Sequence, residues 1–425
     1  MNPPIPSLKR EPTPVYRWLV LVFISLAMFG NYYIYDSIAP VAKLLKEQLH
    51  FTDSNIGLLN GIYSVPNVFM VLIGGIIIDW IGAKRASLIF SAICMLGAGL
   101  TGFGAGNLTL MAAGRLCFGL GAESLIVAIT TVLAKWFKGK ELSLAFGLNL
   151  TIARLGSFAA DNSPTWARAF YGDYRGPLMI SMLMGITSVV AVIVYILMDR
   201  QARRVFRMPP EKKQDRITLR EVFHFDASFW MITLLCVTFY SAIFPFRTFA
   251  IKFFQEHHGL SPEAAGFTNS ILIMATMIGT PLFGLVIDRY GKRASLMILG
   301  SLLIVPVYLL FVYTPIDPRI IMMVMGIAFS LVPAAMWPSV ALIVPEEKLG
   351  TAYGLMTMIQ NIGLAGYNFL IGWANDISTV DGVTDYRLGM WLFSITGLAG
   401  LIFAFGLLRA EKGSHGHGLE IGRRP

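Results

Sequence analysis

Two ionisable residues interrupt stretches that are otherwise apolar: Glu123, in GRLCFGLGAESLIVAITTVLAKWF, and Arg154, in LSLAFGLNLTIARLGS. A carboxylate and a guanidinium in such surroundings can do one of two things. They can neutralise each other, since an isolated charge in an apolar medium carries a large desolvation penalty. Alternatively, they can hold the two ends of a zwitterion, the acid receiving an ammonium and the planar fork of the arginine a carboxylate. The residue types alone leave both open.

Gly147, Thr151, Arg154, Ser157 and Asp161 recur at helical spacing and draw one polar stripe along their helix. Gly119, Glu123 and Thr130 share a face in the same way, and small residues there let a neighbouring helix or a ligand come close. Stripes of this kind face protein or water, not lipid. The basic turn WFKGKEL, from Trp136, joins the two helices. Each charge lies roughly a dozen residues from it, which at about 1.5 Å per residue is near the middle of a bilayer about 30 Å thick.

The whole chain fits that setting. Its 425 residues are 55% hydrophobic and only 14% charged, with a mean hydropathy of +0.64, which excludes an ordinary soluble domain. About twelve stretches are apolar enough to span, and they lack the dyad alternation of a barrel, so the fold class is all-α integral membrane. A net charge of +9 would suggest nucleic acid in a soluble protein. Here the bases gather in alternate loops, which places both termini and the long central loop in the cytoplasm and argues against nucleic acid. Cys94, Cys117 and Cys236 fall inside apolar spans without paired spacing, and read as buried thiols. The polar start MNPPIPSLKREPT precedes an apolar run too long for a cleavable signal core.

An internal repeat divides the spans. GGIIIDWIGAKRASL, from Gly74, is echoed by GLVIDRYGKRASL, from Gly284, so that Asp79 matches Asp288 and Gly82 matches Gly291. Two homologous six-helix halves follow, with expected limits 1–198 and 227–410, a cytoplasmic linker at 199–226 and a cytoplasmic tail at 411–425. Spans two and five are expected as single helices over 54–80 and 141–168. The histidines of GSHGHG, His415 and His417, are expected in a flexible tail without a metal site.

These motifs are similar to those of the major facilitator superfamily: the G-x-x-x-D-x-x-G-x-[KR]-[KR] turn, its shorter echo, and Gly-Arg-x-x-x-Gly-x-Gly from Gly114. GAESL, WFKGKEL, ARLGS, FPF at Phe244, MWPSVALIVPEEKLGTAYG and IQNIGLA resemble, more narrowly, the dipeptide-transporting group within it. The resemblance implies twelve transmembrane helices in two pseudo-symmetric bundles and alternating access between them. It implies that Glu123 and Arg154 clasp the two ends of a peptide and that transport is downhill uniport of dipeptides; rocking of one half on the other needs no bond chemistry, so no cofactor is expected. The gate motifs, Gly75, Asp79, Gly82, Lys84 and Arg85 with Gly284, Asp288, Gly291, Lys292 and Arg293, then resemble a latch between the halves.

Candidate lining residues, each weak alone, are Tyr33 and Asp36, Tyr63 and Asn67, Tyr240 and Arg247, Trp337, Gln360 and Asn361. Tyr240 and Arg247 are seven apart and share a helix face, which makes Arg247 the best second anion contact. The rival readings are a proton-coupled or exchange carrier of organic anions or drugs, with Arg154 and Arg247 as anion contacts, and a non-transporting membrane receptor or scaffold. No Walker-type loop and no catalytic constellation is present, so neither ATP hydrolysis nor an enzyme is expected. The expected partners are a dipeptide-like zwitterion and membrane lipid, with the protein a monomer. Animal members of the group carry an acidic dileucine signal near the N-terminus, and MNPPIPSLKREPT has none. A prokaryotic inner membrane is therefore expected, with a lysosome-like membrane as the alternative.

Overall fold

A computed structural model describes residues 12–104, 106–137, 142–206, 225–345, 348–412 and 416–421. The described chain is helical almost throughout: α1 (Pro14–Asp36), α2 (Ala42–Leu49), α3 (Asp53–Gly61), α4 (Ser64–Ile81), α5 (Ala83–Gly102), α6 (Leu108–Phe137), α7 (Leu142–Asp161), α8 (Ser163–Trp166) and α9 (Arg175–Val205). Then come α10 (Ala227–Glu256), α11 (Pro262–Tyr290), α12 (Arg293–Tyr313), α13 (Pro318–Ile343), α14 (Leu349–Ile377) and α15 (Arg387–Glu411). A two-residue hairpin, β1 (Thr379–Val380) with β2 (Val383–Thr384), precedes α15.

Among the described residues, nine helical segments are long and apolar enough to cross a membrane, those carrying α1, α5, α6, α9 to α13 and α15. The α3–α4 pair, α7 and α14 complete the twelve. Each of these three carries polar residues along its length, such as Asn60 and Asn67, Thr151 and Arg154, or Gln360 and Asn368.

Helix packing repeats between the halves. In the first, α5 packs on α6 and α9, α1 on α7 and α9, and α4 on α6; in the second, α12 packs on α13 and α15, α10 on α14 and α15, and α11 on α13. Counted by position in each set of six, these are the same five pairs, which is the two-bundle fold that the sequence repeat implies. The seam between halves is made by α14 against α3 and α4, by α11 against α7 and α8, and by α10 against residues 39–41.

Local chemistry sets the ends. Thr52 and Asn55 form a reciprocal capping box on α3, Asp226 accepts from the Phe229 amide at 2.9 Å to start α10, and Ser261 caps α11 just before Pro262. The expected single span over 54–80 breaks at Ile62 and Tyr63. Pro66 has no amide hydrogen to donate to Ile62, which removes one helical bond at the break. The span expected to reach 168 stops at Asp161, followed by the short α8. Helix α9 runs to Val205, into the segment expected as linker, aided by the Arg203 to Asp199 bond of 2.8 Å one turn apart.

The halves meet at one end. Ile38, Val41, Phe51, Ile56 and Leu59 from the first half belong to the same buried apolar cluster as Phe246, Phe253 and Phe311 from the second. A Cβ on Gly57 would lie 2.2 Å from the Asn368 carbonyl oxygen, and one on Gly266 2.1 Å from that of Asp161, so the backbones touch there. At the basic ends a Cβ on Gly75, Gly147 or Gly284 would meet nothing within 4 Å. By the charge rule the basic ends are cytoplasmic. Among the described residues the halves are therefore sealed on the outer side and parted on the inner side.

Candidate functional site

Glu123 lies midway along α6, and Arg154 in the outer half of α7. Both side chains are half-buried. Glu123 has no ion-pair partner among the described residues, and the Arg154 guanidinium carbon lies 5.2 Å from the centre of the Tyr32 ring. Tyr32, on α1, is within electrostatic reach of both ions and of Tyr240 on α10. The Tyr240 hydroxyl accepts from Trp337 Nε1 at 3.0 Å, and the Tyr353 hydroxyl donates to the Trp337 carbonyl at 3.0 Å. Gln360 accepts from the Cys236 thiol at 3.3 Å. Across the seam, Asn67 Nδ2 stands 3.5 Å from Asn361 Oδ1.

One or two turns further out lies a second cluster, and it closes the molecule. Arg247 donates to Asp36 at 3.1 Å and to Asp161 at 2.7 Å, and Asn269 donates to the other oxygen of Asp161 at 2.9 Å. Beside it, Lys252 Nζ is 2.5 Å from each oxygen of Asp53 and 3.7 Å from Glu256, whose other contact is the Tyr386 hydroxyl at 2.5 Å. Asp376 accepts from the amides of Asp53 and Ser54 at 2.6 and 2.8 Å. A carboxylate from α14 thus caps α3 of the opposite half, where the helix dipole favours negative charge.

The two clusters share helices. Tyr32 and Asp36 are four apart on α1, Arg154 and Asp161 seven apart on α7, and Tyr240 and Arg247 seven apart on α10. Those spacings keep each pair on one face, separated by about 6 to 10 Å along the axis. Each of these three helices therefore carries one residue of each cluster.

The sequence candidates separate accordingly. Glu123, Arg154, Tyr240, Trp337 and Gln360 gather around the inner cluster, and Asp36 and Arg247 belong to the outer seal. Tyr33 is 1% exposed and packs on Ala160, Ala167, Ile180 and Trp166; its neighbour Tyr32 has the inward position. One residue is about a 100° turn of the helix, which a sequence count does not resolve. Tyr63 is buried against Arg115, whose guanidinium lies 5.1 Å from its ring. Arg115 itself donates to the carbonyls of Ile34, Tyr35 and Leu59 at 2.8 to 3.1 Å, satisfying a buried charge with helix-end oxygens.

Among the described residues, the contacts of each gate motif lie within its own half. Lys84 reaches Asp199 of α9 at 2.6 Å; Lys135 and Arg203 approach the same carboxylate at 3.7 and 2.8 Å. Gly82 and Gly291 take positive φ in the turns. The Lys292 and Arg293 amides donate to the carbonyls of Glu420 and Leu419 at 3.3 and 2.9 Å. The side chains of Asp79 and Asp288 lie outside the described residues, as does His415. His417 does not hang free: it stands 3.0 Å from Asp226 and 3.2 Å from Glu411. The residues that sequence reading missed are Tyr32, Asp53, Asn269, Asp376, Asp199 and Lys252, of which Lys252 carried a signal, a second cation after Arg247 in an apolar run.

Comparison with known proteins places this arrangement. The family model described as Major Facilitator Superfamily matches residues 24–366 and 248–423. The chain is 35% identical over 378 residues to the zebrafish (Danio rerio) protein named lysosomal dipeptide transporter MFSD1, covering 85% of this chain and 81% of that one. It is 34% identical to the human (Homo sapiens) protein of that name, over 87% and 82%. A protein of Cupriavidus necator named probable sulfoacetate transporter SauU is 23% identical over 82% and 85%. Among solved structures, the nucleoside transporter NupG superposes with a TM-score of 0.73 over 93% of this chain and all of that one, at 17% identity. A bacterial homologue of human Spinster, titled as inward-facing and occupied, superposes at 0.72 over 94% and 98%, at 16% identity. With twelve helices in two like bundles, facing ions at mid-depth and a model match along most of its length, the chain is an integral membrane secondary transporter that belongs to the Major Facilitator Superfamily.

Proposed function

We propose that this chain carries dipeptides by alternating access, as a uniporter, with Glu123 receiving the substrate ammonium and Arg154 its carboxylate. The observation that carries this reading is that the two ions stand partly buried at mid-depth without a bond between them. A pair already satisfied in place would have nothing left to offer a ligand. Two unpaired charges of opposite sign suit a molecule that brings one of each. The relatives named for dipeptide transport, at 34 and 35% identity, support the same substrate class.

Because every dipeptide has the same two ends, a clasp on them accepts many side chains, which would project toward Trp337, Tyr353 and Gln360. The halves, residues 1–198 and 227–410 joined through 199–226, rock about the bound substrate. In the state described here the outer seal of Asp36, Asp161 and Arg247 is shut and the substrate leaves to the cytoplasm. In the opposite state the seal parts, and the two gate motifs latch the inner ends. One chain contains the whole site, so a monomer suffices.

A second reading has one observation in its favour, the likeness to a protein named for sulfoacetate transport. In it Arg154 holds an organic anion and Glu123 carries a proton. An unpaired carboxylate in the same space repels an anion, which is why the dipeptide is preferred.

Uptake into proteoliposomes separates the two. A dipeptide, its N-acetylated and C-amidated forms, a free amino acid and a dicarboxylate are compared without a pH gradient. The dipeptide is expected to enter and both blocked forms to fail. Intact transport of either blocked form would defeat the clasp, and uptake of the dicarboxylate alone would support the anion carrier.

A further inference from the structure

On the lipid-facing side of the first half, away from the seam, a groove of about 510 Å³ runs between α5 and α9. Its walls are Leu88, Ile89, Ile193, Ile196 and Leu197, and its cytoplasmic rim is Lys84, Arg85 and Arg200. We propose that this groove is a binding site for an anionic phospholipid of the cytoplasmic leaflet, its phosphate at the three cations and one acyl chain along the apolar wall.

Among the described residues the rim carries more positive than negative charge. Asp199 already serves Lys84, Lys135 and Arg203, while Arg85 and Arg200 are exposed and have no ion pair among the described residues. Two of the rim cations, Lys84 and Arg85, stand in the first turn of α5, with no acid in that turn and no side-chain cap at Gly82. Cations at the positive end of a helix dipole are unfavourable until an anion joins them. The apolar wall extends from Arg200 back to Ile193, about 10 Å deeper by helical rise, which fits the upper part of an acyl chain. Basic pockets between helices on the cytoplasmic side hold lipid headgroups by this combination of charge and apolar contact. Because Lys84 bonds Asp199, the headgroup would bear on the bond that ties α5 to α9.

The test is native mass spectrometry of the full chain released from micelles doped with phosphatidylglycerol or chain-matched phosphatidylcholine, with inorganic phosphate as a separate arm. Phosphatidylglycerol is expected to be retained over phosphatidylcholine. Arg85→Gln with Arg200→Gln should weaken that retention roughly 30-fold, and the two lysine replacements should restore it. Ile193→Trp, at a lipid-facing position that tolerates bulk, should block the wall and abolish retention while leaving the cations in place. Equal retention of the two lipids, or retention unchanged in both the glutamine pair and Ile193→Trp, would overturn the proposal. Displacement of the lipid by inorganic phosphate with Ile193→Trp without effect would assign the cations to free phosphate and overturn it as well.

Discussion

Arg154 and Asp161 stand seven residues apart on one face of α7, the first over the Tyr32 ring and the second bonded across the molecule to Arg247 at 2.7 Å. The same helix therefore carries Arg154, the ion proposed to hold the substrate carboxylate, and a bolt of the outer seal. Removing one partner from a buried ion pair costs about 3 to 5 kcal/mol, enough to move a closed state toward an open one by far more than tenfold. Asp161→Asn is expected to raise the outer exposure of a cysteine placed at Ala39, which is 5% exposed in the sealed state. Labelling by a membrane-impermeant maleimide should accelerate at least about tenfold. An unchanged rate would mean that Asp161 is not part of the seal.

Lys252 and Asp53 form, among the described residues, the most deeply buried ion pair between the halves, both 0% exposed. Lys252→Met leaves the carboxylate uncompensated and should lower stability in detergent by about 3 to 5 kcal/mol. Combining it with Asp53→Asn should recover a large part of that loss. Melting temperatures of the two single variants and the double one complete the cycle, and strict additivity would show that the pair is not coupled.

Tyr32 contributes its ring rather than its hydroxyl to Arg154. Tyr32→Phe should keep dipeptide affinity near that of the parent, whereas Tyr32→Leu removes a cation–π contact of about 0.5 to 2 kcal/mol and should weaken binding by about two- to thirtyfold. Isothermal titration on the purified protein measures both. Equal losses would assign the role to the hydroxyl.

His258 follows α10 on the outer side, and burial holds its imidazole below the usual histidine value of 6.5, with His257 beside it lowering it further and Asp317 opposing. Its Nε2 is buried without a partner among the described residues. A histidine kept neutral by folding stabilises above the unfolded value, and that contribution is lost as pH falls below it. The melting temperature should therefore drop between about pH 7.5 and about pH 5, and His258→Gln should flatten part of the drop. A slope unaffected by His258→Gln would remove this residue from the account.

Much of the architecture was legible because it rests on periodicities: long apolar runs, a polar stripe at helical spacing, and a repeated turn at Asp79 and Asp288. Glu123 and Arg154 stood out because charge in an apolar run is rare. Tyr32 was missed in favour of Tyr33, since the rotational phase of α1 depends on packing against α7 and α9. The seal was illegible for another reason. Asp36 and Arg247 are 211 residues apart, and their contact belongs to one of two arrangements of the halves, a choice that a sequence common to both does not contain. Asp53 and Lys252 sit near helix ends, where a charge more often reaches solvent than a partner.

The most direct test of the clasp pairs each substrate end with its residue. Binding of a dipeptide, its N-acetyl form and its C-amide is measured for the parent, Glu123→Gln and Arg154→Gln, each checked for an unchanged melting profile. Glu123→Gln should weaken the free dipeptide and make no further difference once the amine is acetylated, and Arg154→Gln should behave likewise toward the amide. If each variant instead lowers all three ligands by the same factor, Glu123 and Arg154 shape the site without holding the ends of the peptide, and the account is wrong.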